Sequence, residues 1–99
     1  MANTMRFIIA AIVIASSTAA LAAAPEPPPG AASCTGCHAT NPNVDTAVPR
    51  LTGKTPGEIV AAMQAFRSGQ KPATIMDRIA KGFSDTEVQA IATWLTEPH

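Results

Sequence analysis

The chain has 99 residues, is 46% apolar and 14% charged, and balances seven Lys+Arg against seven Asp+Glu, which suits one small domain. The even charge leaves no footprint for nucleic acid and no single-sign run to hold a membrane surface. A domain this small has little interior for its surface and needs a metal, cofactor or disulfide to complete its core.

The N-terminus reads as a targeting segment. Arg6 supplies a positive charge, Phe7 to Ala15 is continuously apolar, and Ser16-Ser17-Thr18 leads to the Ala20-Leu21-Ala22 cleavage pattern. Residues 1–22 are therefore expected to be a secretory signal peptide, cut after Ala22, since a cut after Ala24 would leave Pro25 at the new terminus. Phe7 to Ala24 is an uncharged run of 18 residues, just at spanning length. Its alanine-rich second half is weakly apolar, which favours a cleaved signal over a retained anchor. Export to the periplasm, with no membrane attachment after cleavage, is the expectation. Residues 23–30 follow as an extended arm of polyproline II character, Pro25-Glu26-Pro27-Pro28-Pro29-Gly30.

Cys34-Thr35-Gly36-Cys37-His38 opens the domain expected over residues 31–99. Two cysteines three apart with histidine directly after the second form the c-type haem attachment pattern. In a helical turn the three side chains lie at i, i+3 and i+4 and share one face, so one short segment can clamp a macrocycle by its edge and ligate its centre. Three other readings fit less well. A thioredoxin-like pair wants a βαβ pattern, and no strand runs are present. Structural zinc needs four ligands, and beyond the motif only His99 remains. A disulfide at this spacing closes too small a loop to stabilise much. Covalent haem c, one per chain, would itself supply much of the missing core.

Ala39 to Lys54 reads as loop, with Asn41-Pro42-Asn43 as a turn. A haem-ligating imidazole gives its free ring N–H to an acceptor that fixes its orientation. Pro49, eleven residues after His38, is the candidate carbonyl, and Leu51 is expected to pack on the same haem face. Thr55-Pro56-Gly57-Glu58 combines an N-cap, a proline at N1 and a capping box. It opens a helix with Ile59, Val60, Met63 and Phe66 on one stripe, closed by Arg67 and Gly69. A shorter segment after Pro72 has apolar Ile75, Met76 and Ile79 recurring at i, i+1 and i+4 and ends at Lys81-Gly82. Ser84-Asp85-Thr86-Glu87 is a second capping box, opening a helix with Val88, Ile91, Ala92 and Leu95 on one face, Trp94 beside them, and Pro98 as its stop.

A second axial ligand decides between electron transfer and an open iron site, and methionine opposite histidine is the electron-carrier pairing. Beyond the signal segment the methionines are Met63 and Met76. Met63 lies in a helix stripe, where methionine fills core. Met76, 38 residues after His38, lies in a short segment between Gly/Pro breaks that can fold over the far haem face, and is the expected ligand. His99 or an open position are the alternatives.

With these residues in place the sequence resembles a class I cytochrome c over nearly all of residues 31–99. The resemblance rests on the Cys34–His38 pentapeptide, the Pro49-Arg50-Leu51-Thr52-Gly53-Lys54 stretch, the Ala65-Phe66-Arg67-Ser68-Gly69 stretch, the segment from Ala73 to Asp85, and a C-terminal helix bearing Trp94. It implies an all-α fold of three to four short helices around one covalent haem, thioethers at Cys34 and Cys37, and axial His38 and Met76. Within the class the chain is similar to the monohaem cytochrome subunits of flavocytochrome c sulfide dehydrogenases. That similarity implies a flavoprotein partner carrying FAD, which oxidises sulfide and passes single electrons to the haem; the downstream acceptor is not implied. One departure stands out. Only Gly30 to Ser33 separate the arm from Cys34, so the usual N-terminal helix is missing or very short. That leaves the arm or a partner subunit to cover the Trp94 helix.

The chain carries no nucleophile–base pair or paired carboxylates, and so reads as an electron-transfer component and not a complete enzyme. Electrons are expected to pass at the rim formed by Thr35, Gly36, Ala39 and Thr40, which is small and uncharged and suits close docking. Lys54, Arg50 and Lys71 are candidates to offset the haem propionates. The rival functions are a freestanding periplasmic shuttle and a small haem catalyst or sensor with an open iron site.

Overall fold

The structure is a computed structural model and describes residues 14–17, 19–20 and 24–98. The segment expected as a signal peptide falls largely outside these residues, and His99 falls outside them entirely. Four helices occur in order, α1 (Ala31–Thr35), α2 (Pro56–Ser68), α3 (Met76–Ala80) and α4 (Asp85–Thr96), with no strand among the described residues. The all-α expectation holds. None of the four helices is long and apolar enough to cross a membrane.

Both longer helices begin where their local codes say they should. At α2 the Thr55 hydroxyl accepts from the Glu58 amide at 3.2 Å while the Glu58 carboxylate accepts from the Thr55 amide at 2.8 Å. Ser84 and Glu87 repeat the exchange at α4 at 3.2 and 2.9 Å. Each box satisfies two amides that a helix start otherwise leaves unpaired. The Thr55 backbone bond also holds the Glu58 carboxyl below its ordinary range. Gly69 ends α2 at φ +79°, the left-handed cap that glycine adopts without strain.

α2 packs against both α3 and α4. Ile59 and Met63 of α2, Ala80 of α3, and Val88 and Ala92 of α4 form one buried cluster. Ala80 and Ala92 have no exposed surface. A second cluster joins Ala31 of α1 to Ile91 and Leu95 of α4, with Trp94 and Cys34 at its edge. Leu51 and Phe83 touch both clusters and tie them together. Burying a side chain such as Ile91 or Leu95 contributes about 1.5–3 kcal/mol.

Two features refine the sequence reading. Ile75, counted among the apolar positions of a segment after Pro72, is instead the N-cap of α3 and stands 58% exposed. Residues 69–75 stay irregular, so that helix is shorter than the apolar spacing suggests. The N-terminal helix is very short, as the spacing requires, yet it still packs on α4, because Ala31 is 1% exposed within the second cluster. The arm prepares it. Pro28 accepts from the Ala31 amide at 3.1 Å, and Gly30, at φ +87°, accepts from Ser33 at 3.0 Å. A Cβ at Gly30 would come within 2.7 Å of the Phe83 ring, just before α4, and 3.5 Å of Ile91, so the chain passes there with no room for a side chain.

Candidate haem-binding site

The pentapeptide sits where α1 runs out. The His38 amide donates to the Cys34 carbonyl at 2.8 Å and the Cys37 amide to the same oxygen at 3.2 Å. One continued helical turn therefore carries both thiols and the imidazole. Cys34 is half-buried against the second cluster, and burial pushes its thiol pKa up; Cys37 is exposed.

His38 Nδ1 lies 2.5 Å from the Pro49 carbonyl oxygen. A carbonyl oxygen only accepts, so Nδ1 carries the proton and donates. In the neutral ring this leaves the lone pair on Nε2, the arrangement a metal-binding imidazole adopts. The loop that presents Pro49 is held by side chains. The Asn43 amide donates to Asn41 Oδ1 at 2.9 Å, and Arg50 Nη2 donates to the carbonyls of Pro42 (2.9 Å) and Val44. Arg50 Nε is buried without a partner, an orphan donor in the same loop.

The methionines separate cleanly. Met63 is a member of the buried α2 cluster, whereas Met76, the first residue of α3, is half-buried and packs against that cluster from outside, as Leu51 does. Lys71 holds its ammonium 5.1 Å from the centre of the Phe66 ring, and Lys54 is exposed. Of the rim residues, Gly36 and Thr40 are exposed and Thr35 and Ala39 half-buried.

One relative bears on the class. Over 62 residues, 63% of this chain and 56% of the relative, the chain is 39% identical to the cytochrome subunit of sulfide dehydrogenase from Chlorobaculum tepidum. The chain resembles the c-type cytochromes. It spans little more than half the length of that relative, and no family model matches it. For a cytochrome c-like chain the donor set can be tested against the group it implies. Two thiols and an imidazole on one turn, with Nδ1 already committed to Pro49, are the chemistry that covalent haem c requires, and Arg50 Nε offers a buried donor suited to a carboxylate. These residues fit haem c.

Two contacts of this cytochrome c-like chain go beyond the sequence, which left the arm as one of two covers for the Trp94 helix and gave no partner for Arg67. The Trp94 indole N–H donates to the Pro25 carbonyl at 3.0 Å, drawing the arm onto α4. Arg67, which the sequence marks only as a helix-terminal cation, donates to the carbonyls of Ala80 and Phe83 and to the Asp85 carboxylate. Its hydrogen bond is the main reason the Asp85 carboxyl titrates below its ordinary value.

Proposed function

We propose that the chain is a periplasmic electron-transfer haem protein. In this reading Cys34 and Cys37 form thioethers, His38 and Met76 are the axial ligands, and residues 1–22 are a cleaved signal. The observation that carries it is the His38–Pro49 hydrogen bond on the turn that bears both cysteines. That bond orients the imidazole and raises the basicity of Nε2. Met76 is favoured over Met63 because Met63 is already committed to the core. Leu51 and Met76 keep apolar surface that an apolar plate would cover, and Arg50 Nε would hold a propionate.

The bound haem supplies one-electron chemistry, and the protein's part is to hold and tune it. His/Met ligation and burial among apolar side chains raise the potential. The uncharged rim at Thr35, Gly36, Ala39 and Thr40 suits close approach of a redox partner without strong steering.

The more specific reading is a subunit that takes electrons from an FAD-bearing, sulfide-oxidising flavoprotein, and the named function of the relative supports it. The test is the absorption spectrum of the tagged protein purified gently from its native periplasm. Haem c bands with stoichiometric flavin, lost on a denaturing wash, are expected. Haem bands alone would make it a freestanding shuttle, and no haem bands would overturn the site.

A further inference from the structure

We infer that Arg67 is a positioning residue that holds Met76 in place for the iron; this rests on Met76 being the axial ligand. α3 is five residues long, far below the length at which a helix persists alone in water, and its N-cap Ile75 makes no side-chain cap. Where Met76 sits therefore depends on what grips the segment from outside. Arg67 projects from the last turn of α2 and grips its other end. Arg67 Nε donates to the Ala80 carbonyl at 3.3 Å, an acceptor at the open C-terminus of α3, and Nη2 donates to the Phe83 carbonyl at 2.8 Å. Nη1 reaches Asp85 Oδ1 at 2.7 Å at the start of α4.

One guanidinium thus bridges α2, the end of α3 and the start of α4, its nearest acceptor being the last residue of the helix that Met76 begins. The contributions are unequal. The Asp85 side chain is 60% exposed, so the ion pair is screened and adds little. The two carbonyl bonds are part-buried and charge-assisted; losing them takes the charged donor from the Phe83 carbonyl and leaves the Ala80 carbonyl only the long bond from the Phe83 amide at 3.4 Å. The guanidinium fork is needed because the acceptors diverge; an ammonium has no fixed fork to match them.

The test uses the oxidised haem-loaded protein and two readouts, the long-wavelength charge-transfer absorption of methionine sulfur on ferric haem and the affinity for added imidazole, which competes for the same position. Arg67→Gln is expected to weaken the absorption and tighten imidazole binding by about tenfold to hundredfold, the range for hydrogen bonds to a charged group. Thr55→Ala removes the cap at the opposite end of α2 without touching this clamp, and should leave both readouts at wild-type values. If Arg67→Gln lowers stability but moves neither readout, or if Thr55→Ala moves them equally, Arg67 is structural only and the inference is overturned. Met76→Leu, measured in parallel, must abolish the absorption. If it does not, the ligand assignment has failed and the inference falls with it for that separate reason.

Discussion

The Trp94 indole N–H and the Pro25 carbonyl, 69 residues apart in sequence, meet at 3.0 Å. This contact lays the proline-rich arm against the last helix, beside the cluster in which Ala31 of α1 also packs. Proline carbonyls suit the task. An arm of this composition has no internal hydrogen bonds, so its acceptors are available, and it loses little conformational freedom on docking.

Trp94→Phe keeps the aromatic body and removes the indole donor. The hydrogen bond is exposed, so the expected cost is near the lower end of the usual range, about 0.5 kcal/mol in denaturant unfolding. The sharper readout is limited proteolysis. Cleavage within residues 24–30 should accelerate in the variant while the rest of the chain stays protected. Unchanged cleavage would mean that Trp94 does not anchor the arm.

Gly30 and Gly69 separate backbone strain from packing. Both have φ near +80°, at +87° and +79°, but a Cβ at Gly69 would meet nothing within 4 Å whereas one at Gly30 would press on Phe83 at 2.7 Å. Gly69→Ala should cost only the left-handed penalty, about 1–2 kcal/mol. Gly30→Ala should exceed it by roughly another 1 kcal/mol of overpacking. Equal losses in paired thermal melts would show that the Phe83 ring moves aside freely.

Thr55→Ala and Ser84→Ala should each destabilise by about 1 kcal/mol, because each removes a side-chain acceptor from a helix start. These boxes were fully legible in the sequence, since the code for them spans four residues. The Cys34–His38 turn was legible for the same reason. The Pro49 acceptor was legible only through chemistry: a ligating imidazole needs such a partner, and the loop offers one at the right remove. Arg67 was not legible as a clamp. Its acceptors are backbone carbonyls 13 and 16 residues away, and any residue type supplies a carbonyl. Ile75 misled because apolar spacing marks a face without marking where the helix begins.

The Arg67–Asp85 pair gives the stability a defined pH dependence. The Asp85 carboxyl, ordinarily at 3.8, is lowered in the folded protein chiefly by its hydrogen bond to Arg67. A carboxyl with a depressed folded value stabilises the fold above its unfolded pKa, and that contribution is lost as pH falls through the folded value. Stability should therefore decline below about pH 4. In Asp85→Asn that part of the slope should vanish. An acid limb identical in the variant and the wild type would remove Asp85 from the account.

Met76→Leu and Met63→Leu distinguish ligation from packing, because both replace methionine with a side chain of similar volume. Such swaps usually cost less than about 1.5 kcal/mol, so neither protein should unfold. Met63 lies inside the α2 cluster, and its variant should keep the wild-type haem spectrum and potential. Met76 stands half-buried at the head of α3, and its variant should lose the methionine-to-iron absorption in the oxidised state. Its potential should fall, since thioether ligation favours the reduced iron. It should also bind added imidazole or cyanide, small ligands that the thioether otherwise excludes. If Met63→Leu moved the spectrum and Met76→Leu did not, the two methionines would have to exchange roles, and α3 would be a cover for the haem instead of its ligand-bearing segment.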